Sequence, residues 1–238
     1  MKESKIISLG FEGSNRAGKG TQIEILSNKL KEMNIPYLTI RGDGSRPNEG
    51  KHKGDPISDW WSKTIPLLKE KVNKDGELWN ISSTRLAREL LVFKNRVLPK
   101  MATENNKPVA VLLIDRTLLS RTMVPRSQKI VDIKNNLYPK DSKFNLEDVC
   151  PDIIFNILVD KDTLLSRLDH NDPKYEFRKN LILEKYDWYL DAHKYIPTEL
   201  QNRVIQIDGS SDPETVNKSI IEIINNKFPE LKNNHEKF

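Results

Sequence analysis

One stretch of this sequence has residue types and spacing that can do chemistry unaided: Gly13-Ser14-Asn15-Arg16-Ala17-Gly18-Lys19-Gly20-Thr21. Glycine, four residues, Gly-Lys and then a small residue form the phosphate-loop pattern. Its chemistry is polyphosphate binding. Glycines let the backbone curl until successive N–H groups point into one concavity. A following helix adds its unpaired N-terminal N–H groups and the positive end of its dipole. Lys19 supplies a mobile point charge for the terminal phosphates. The hydroxyl that the pattern places on Mg²⁺ is displaced by one residue, because Gly20 follows Lys19 and Thr21 comes next.

Further charged residues stand where apolar runs end. Arg41 closes residues 37–40, and Asp115-Arg116 closes residues 109–114, the most apolar run of the chain. A carboxylate at such a strand end can orient Mg²⁺ through water. A guanidinium beside it can clamp a phosphate with two parallel hydrogen bonds. Arg85, on a helical stretch, is a second candidate for an acceptor phosphate or base; Arg41 or Arg46 is another.

The elements that must position these residues alternate. Residues 6–11 read as a buried strand and 22–33 as a helix with Ile23, Leu26 and Leu30 on one face. Strands follow at 37–40, 109–114, 153–159 and 203–207. Helices are expected at 57–72, 78–101, 163–168, 176–193 and 213–226, with Pro99 ending or kinking the second of these. Pro213 stands at a favoured first-turn position. Residues 42–56 form a long polar loop. Trp60, Trp61 and Trp79 read either as acceptor-pocket walls or as packing residues. Alternating strands and helices imply a five-stranded parallel sheet with helices on both faces, ligands binding at the carboxyl ends of the strands. No repeat or linker divides the chain, so residues 1–238 are read as a single domain.

Composition narrows the partners. With 31% charged and 37% hydrophobic residues, the chain suits one α/β domain with a substantial core. No apolar run is long enough for a bilayer, and the charged N-terminus leads straight into a strand, so neither a membrane anchor nor a signal peptide is expected. Cys150 is the only cysteine, which excludes an intramolecular disulfide and suits a cytoplasmic protein. The four histidines and one cysteine offer no metal-ligand spacing. A net charge of +5 fits nucleic acid or a pocket for several phosphates. Without interleaved aromatic and basic residues, the second is favoured and nucleic acid is not the expected partner. The mixed-charge end, from about residue 227 to 238, is expected to be solvated.

Over roughly residues 5–225 the chain resembles the thymidylate kinases, P-loop kinases that move the γ-phosphate of ATP onto dTMP. Residues 11–22, ending Gly18-Lys19-Gly20-Thr21-Gln22, look like their phosphate loop. Asp115-Arg116 with Ser120 looks like their Asp-Arg-aromatic-x-x-Ser segment, and Thr84-Arg85 like their Asn-Arg. Lys174-Tyr175-Glu176 resembles the Arg-aromatic-Glu of a short lid, here at about residues 169–178. The resemblance implies ATP and Mg²⁺ as cofactors, the metal held largely through water, and a homodimer. It implies Lys19, Arg16, Asp115 and Arg116 as catalytic residues, and residues 13–22, Gln22 included, around ATP. It places Arg41, Arg85 and Arg116 on the acceptor, Lys174 in the lid, and Thr21 and Asp115 near the metal. Family members with an arginine at the Arg16 position use it on the transferring phosphate, and their lid needs none. The chain also departs from the family. Asn15 replaces a carboxylate that meets the acceptor's sugar, Thr117 an aromatic residue, and Ile81 the thymine-stacking Phe. The Tyr-Gln usual after the Ser is missing after Ser120. The expected activity is transfer to a nucleoside monophosphate with altered base selectivity. The alternatives are a P-loop kinase for a nucleoside or non-nucleotide acceptor, and a nucleotide-binding protein without turnover.

Overall fold

The structure is a computed structural model that describes residues 4–41, 87–117, 119–120, 146–196 and 198–232. The expectations for the loop 42–56, the helix 57–72, Arg46, Trp60, Trp61, Trp79, Ile81 and Arg85 lie outside the described residues.

Five strands form one sheet in the order β2-β3-β1-β4-β5, every neighbouring pair parallel. They are β1 (Lys5–Glu12), β2 (Tyr37–Arg41), β3 (Val109–Asp115), β4 (Ile153–Leu158) and β5 (Val204–Asp208). The α/β reading of the sequence holds. Because side chains alternate along a strand, β3 serves two cores. Val109, Val111 and Leu113 pack in one cluster with Ile23, Leu26 and Leu30 of α1 (Lys19–Glu32) and with residues of the last long helix. Ala110, Leu112 and Ile114 pack on the opposite face with Leu90, Phe93, Leu98 and Ala102. Both faces are therefore covered, which is why β3 reads as an unbroken apolar run.

The helix leading to β3 differs from expectation at Pro99. Residues 87–92 are helical, Phe93–Val97 form a π turn, and α2 (Leu98–Glu104) carries Pro99 in its first turn. Proline lacks an N–H, and its ring crowds the carbonyl four residues back, which here falls inside the π turn. The widened turn absorbs both defects, and the helix runs on to Glu104.

After β3 come α3 (Leu146–Val149), α4 (Lys161–Ser166), α5 (Tyr175–Leu190) and α6 (Pro213–Lys227). Asp212 caps α6 through Glu214 and Thr215 N–H, with Pro213 at its first position. The expectation of a solvated end does not hold for Phe228 and Leu231. A short α7 (Pro229–Lys232) folds back, burying Phe228 and Leu231 in the core that holds α1.

Candidate active site

The phosphate loop joins β1 to α1 at the carboxyl edge of the sheet. Gly13 has φ +133°, and a Cβ there would lie 2.4 Å from the Ile157 carbonyl oxygen of β4. Only glycine lets the loop pass so close to the neighbouring strand. Gly18 is the N-cap of α1 in the left-handed conformation, and no side chain caps the helix. The first-turn N–H groups are thus left to a ligand. Arg16, exposed at the crest, also has positive φ, at 68°. Its carbonyl accepts a hydrogen bond from Arg167 Nη1 at 3.2 Å, while Arg167 Nη2 reaches Gly209 O after β5 at 3.4 Å.

Lys19 folds over this loop. Its Nζ donates to Gly13 O at 2.9 Å and Ser14 O at 2.8 Å, and the residue is almost fully buried. Burial, with Arg116 adding repulsion, lowers its pKa to about 7, against the opposing pull of Asp115 and Glu12. A buried ammonium satisfied only by carbonyls gains strongly from an arriving anion.

A charged cluster stands at the ends of β1, β2 and β3. Arg41 and Asp115 are register partners on neighbouring strands, and Arg41 Nη1 meets Asp115 Oδ2 at 2.6 Å. Asp115 Oδ1 is buried and has no hydrogen-bond partner among the described residues. Arg116 follows with φ 64°. Its guanidinium donates through Nη2 to Asn15 Oδ1 at 3.0 Å, and through Nη1 to Tyr189 Oη at 2.8 Å and Ser120 Oγ at 3.3 Å. Beneath it lies Glu12, fully buried at the end of β1. Glu12 Oε1 accepts from Thr117 N at 2.6 Å, Thr117 Oγ1 at 2.8 Å and Ser120 N at 3.0 Å; Oε2 accepts from Ser120 Oγ at 2.5 Å. Burial raises the Glu12 pKa, while Arg116 and these hydrogen bonds oppose the rise.

A phosphate cradle with a buried lysine, facing a strand-end Asp-Arg pair, is the layout of a phosphoryl-transfer site. The family model for thymidylate kinase matches residues 11–220, most of the chain. The chain belongs to the thymidylate kinase family. Its sequence is 26% identical over 227 residues to a thymidylate kinase of Fervidobacterium nodosum, covering 91% of this chain and 98% of that one. It is 22% identical to a thymidylate kinase of Chlorobium phaeobacteroides, covering 93% and 96%. Its fold is similar to the solved thymidylate kinases of Candida albicans, with TM-score 0.56, 16% identity and 96% and 94% coverage, and of Ehrlichia chaffeensis, with TM-score 0.52, 19% identity and 92% and 98% coverage. The chemistry is ATP-dependent phosphoryl transfer to a nucleoside monophosphate.

Within this kinase the structure gathers Lys19, Arg116, Asp115, Arg41 and Asn15 at one edge of the sheet. Thr21 is exposed in the first turn of α1. Lys174 is exposed at the start of α5, where its backbone N–H donates to Asp172 Oδ1. Gln22, expected around ATP, has its partners elsewhere in the fold. Its amide donates to Pro213 O at 2.9 Å and accepts from Asn217 at 3.1 Å, and its N–H bonds Gly18 O. The side chain ties α1 to α6. Arg41 was expected on the acceptor; its pairing with Asp115 gives it a hold on that carboxylate. The sequence reading gave no role to Glu12, Tyr189 or Arg167. Glu12 stood inside the motif, directly before Gly13, and a carboxylate ending a buried strand was the available signal.

Proposed function

We propose that this kinase transfers the γ-phosphoryl of MgATP to a monophosphate recognised chiefly through its phosphate, with dTMP a poor acceptor. The observation that carries the reading is the contact of Arg116 with Asn15. A guanidinium only donates, so the amide oxygen of Asn15 faces Arg116 and its NH₂ is turned away. A carboxylate at this position would bring charge to a sugar hydroxyl; the amide brings none. Thr117 does not supply an aromatic wall either: it is buried against Glu12. The Candida albicans thymidylate kinase, similar in fold, has broad substrate specificity, so loosened selectivity is compatible with this fold.

Each residue then has a part. Lys19 leaves its loop carbonyls for the β- and γ-phosphates. Arg16 meets the charge that develops on the transferring group, and Arg116 holds the acceptor phosphate. Residues 13–21 cradle the donor phosphates, with Lys174 in the lid over them and Arg85 near the acceptor. Asp115 suits a water-bridged Mg²⁺, since a buried carboxylate oxygen without a partner needs such a donor. The ion would be carried mainly by phosphates and water, with Thr21 nearby. When bound, Mg²⁺ supplies positive charge across the donor phosphates. We further place the protein in the cytoplasm as a homodimer, as the resemblance implies; light scattering tests the assembly.

Steady-state kinetics with dTMP, other monophosphates and thymidine at fixed MgATP test the function. The expected profile is turnover of monophosphates, a low kcat/KM for dTMP and a lower one still for thymidine. Efficient, selective dTMP turnover overturns the selectivity argument. Preference for a nucleoside over its monophosphate removes the Arg116 clamp.

A further inference from the structure

Glu12 is fully buried, and its hydrogen bonds tie it to the segment after β3. Its four hydrogen bonds all come from Thr117 and Ser120, which follow Arg116 directly. Two of those donors are backbone N–H groups, so Glu12 fixes the path of the chain as well as its side chains. Ser120 Oγ is shared: it donates to Glu12 Oε2 and accepts from Arg116 Nη1. On the other side, Glu12 is covalently next to Gly13, where the phosphate loop begins. One buried carboxylate therefore connects the donor cradle to the segment carrying the acceptor's cation.

We propose that Glu12 is a positioning residue for the acceptor, setting the Arg116 guanidinium through the Ser120 hydroxyl and the backbone N–H groups of Thr117 and Ser120. The proposal rests on the reading of Arg116 as the acceptor-phosphate clamp. Arg116 adopts a left-handed conformation that a non-glycine residue does not hold by preference. The surrounding structure must impose it, and the Glu12 contacts begin at the next residue. A guanidinium clamps a phosphate only when its fork is aimed, so a small rotation lowers acceptor binding while leaving the donor site intact.

Glu12→Gln is the selective perturbation. The amide oxygen can keep the three bonds on Oε1. The NH₂ that replaces Oε2 meets Ser120 Oγ as a donor, so that hydroxyl faces two donors and must turn. Thr117→Val is a milder second variant: it removes one hydrogen bond to Glu12 and the one that Leu119 N donates to Thr117 Oγ1, and the Thr117 side chain has no hydrogen bond to that of Arg116 among the described residues. With dTMP as the probe, Glu12→Gln is expected to raise the acceptor KM about tenfold and Thr117→Val about threefold. The ATP KM should stay within about twofold of wild type in Thr117→Val, and rise less than the acceptor KM in Glu12→Gln, whose lost charge also acts on Lys19. In an Arg116→Ala background, Glu12→Gln should add less than about twofold, because its effect runs through the arginine. Equal rises in both KM values, an unchanged acceptor KM, or full additivity with Arg116→Ala overturns the proposal. If Glu12→Gln fails to fold, Thr117→Val decides by the same split. An Arg116→Ala protein with a wild-type acceptor KM overturns the clamp reading itself and the proposal with it. A raised KM in that variant, beside an unaffected Glu12→Gln, overturns the proposal alone.

Discussion

Nucleotide binding to this kinase should take up a proton. Before the nucleotide arrives, Lys19 is buried and repelled by Arg116, and its pKa is lowered to about 7. The donor phosphates bring negative charge against Nζ and move that pKa back toward the ordinary lysine range. At pH 8 only about a tenth of the free protein carries the Lys19 proton, so binding takes up about 0.9 proton per nucleotide; at pH 7 the figure is about 0.5. Affinity is then greatest below pH 7 and weakens as pH rises, approaching about tenfold per unit above pH 8. The same shift acts on folding. The folded pKa lies below the unfolded one, so the unfolded chain binds more protons between about 7 and 10.5, and the unliganded protein gains stability as pH rises through that window. The assay is titration calorimetry with MgATP at pH 8 in buffers of widely different ionisation enthalpy. The slope of observed enthalpy against buffer enthalpy gives the proton count. Lys19→Met should remain folded, lose nearly all phosphoryl transfer and show a slope near zero. A wild-type enthalpy independent of buffer refutes the argument, because Lys19 would then be charged before binding.

Arg16→Ala should lower kcat more than it raises the KM for ATP, by up to the roughly 10³–10⁵-fold known for transition-state arginines; a change in KM alone makes it a ground-state contact. Gln22→Leu or Asn217→Leu should lower unfolding free energy by about 1–3 kcal/mol in denaturant titrations, with both KM values unchanged, since their hydrogen bonds join helices. Arg116→Gly and Arg116→Ala should both weaken acceptor binding, but the glycine variant should be the more stable by about 1 kcal/mol, read by thermal unfolding, because φ 64° suits glycine.

What was legible in the sequence was local. An unbroken apolar run with both faces covered marks β3, and a glycine-spaced lysine between strand and helix marks the cradle. What was hidden was nonlocal. Glu12 meets Thr117 and Ser120 across 105 and 108 positions, and Gln22 meets Asn217 across 195. No periodicity records such partners. Gln22 therefore read as part of the motif, although its side chain serves the packing of α6. Pro99 read as a helix end or kink because a π turn cannot be seen in residue types. Phe228 and Leu231 are single apolar residues among charges, too sparse to mark a helix until α7 places them against the core.

Where the backbone is strained separates structure from chemistry in this chain. Four non-glycine residues have positive φ among the described ones: Arg16, Asn34, Asn106 and Arg116. The two asparagines have an ordinary reason. Each follows a helix, Asn34 after α1 and Asn106 after α2, and the next residue's N–H closes the turn on Leu30 O and Ala102 O respectively. That is a helix C-terminus of the kind asparagine tolerates well. Neither arginine ends a helix, and an arginine held left-handed costs about 1 kcal/mol or more that glycine would avoid. Gly13 and Gly18 show that the same loop uses glycine where only backbone shape is required. Retaining arginine at the two strained positions makes sense if the side chain is needed there and only that backbone geometry presents it. At Arg16 the carbonyl is held by Arg167 and the residue is exposed at the loop crest. At Arg116 the Phe11 carbonyl holds the N–H, while Asn15, Ser120 and Tyr189 hold the guanidinium. The strain thus falls on the two arginines that the proposed mechanism assigns to the transferring group and to the acceptor phosphate.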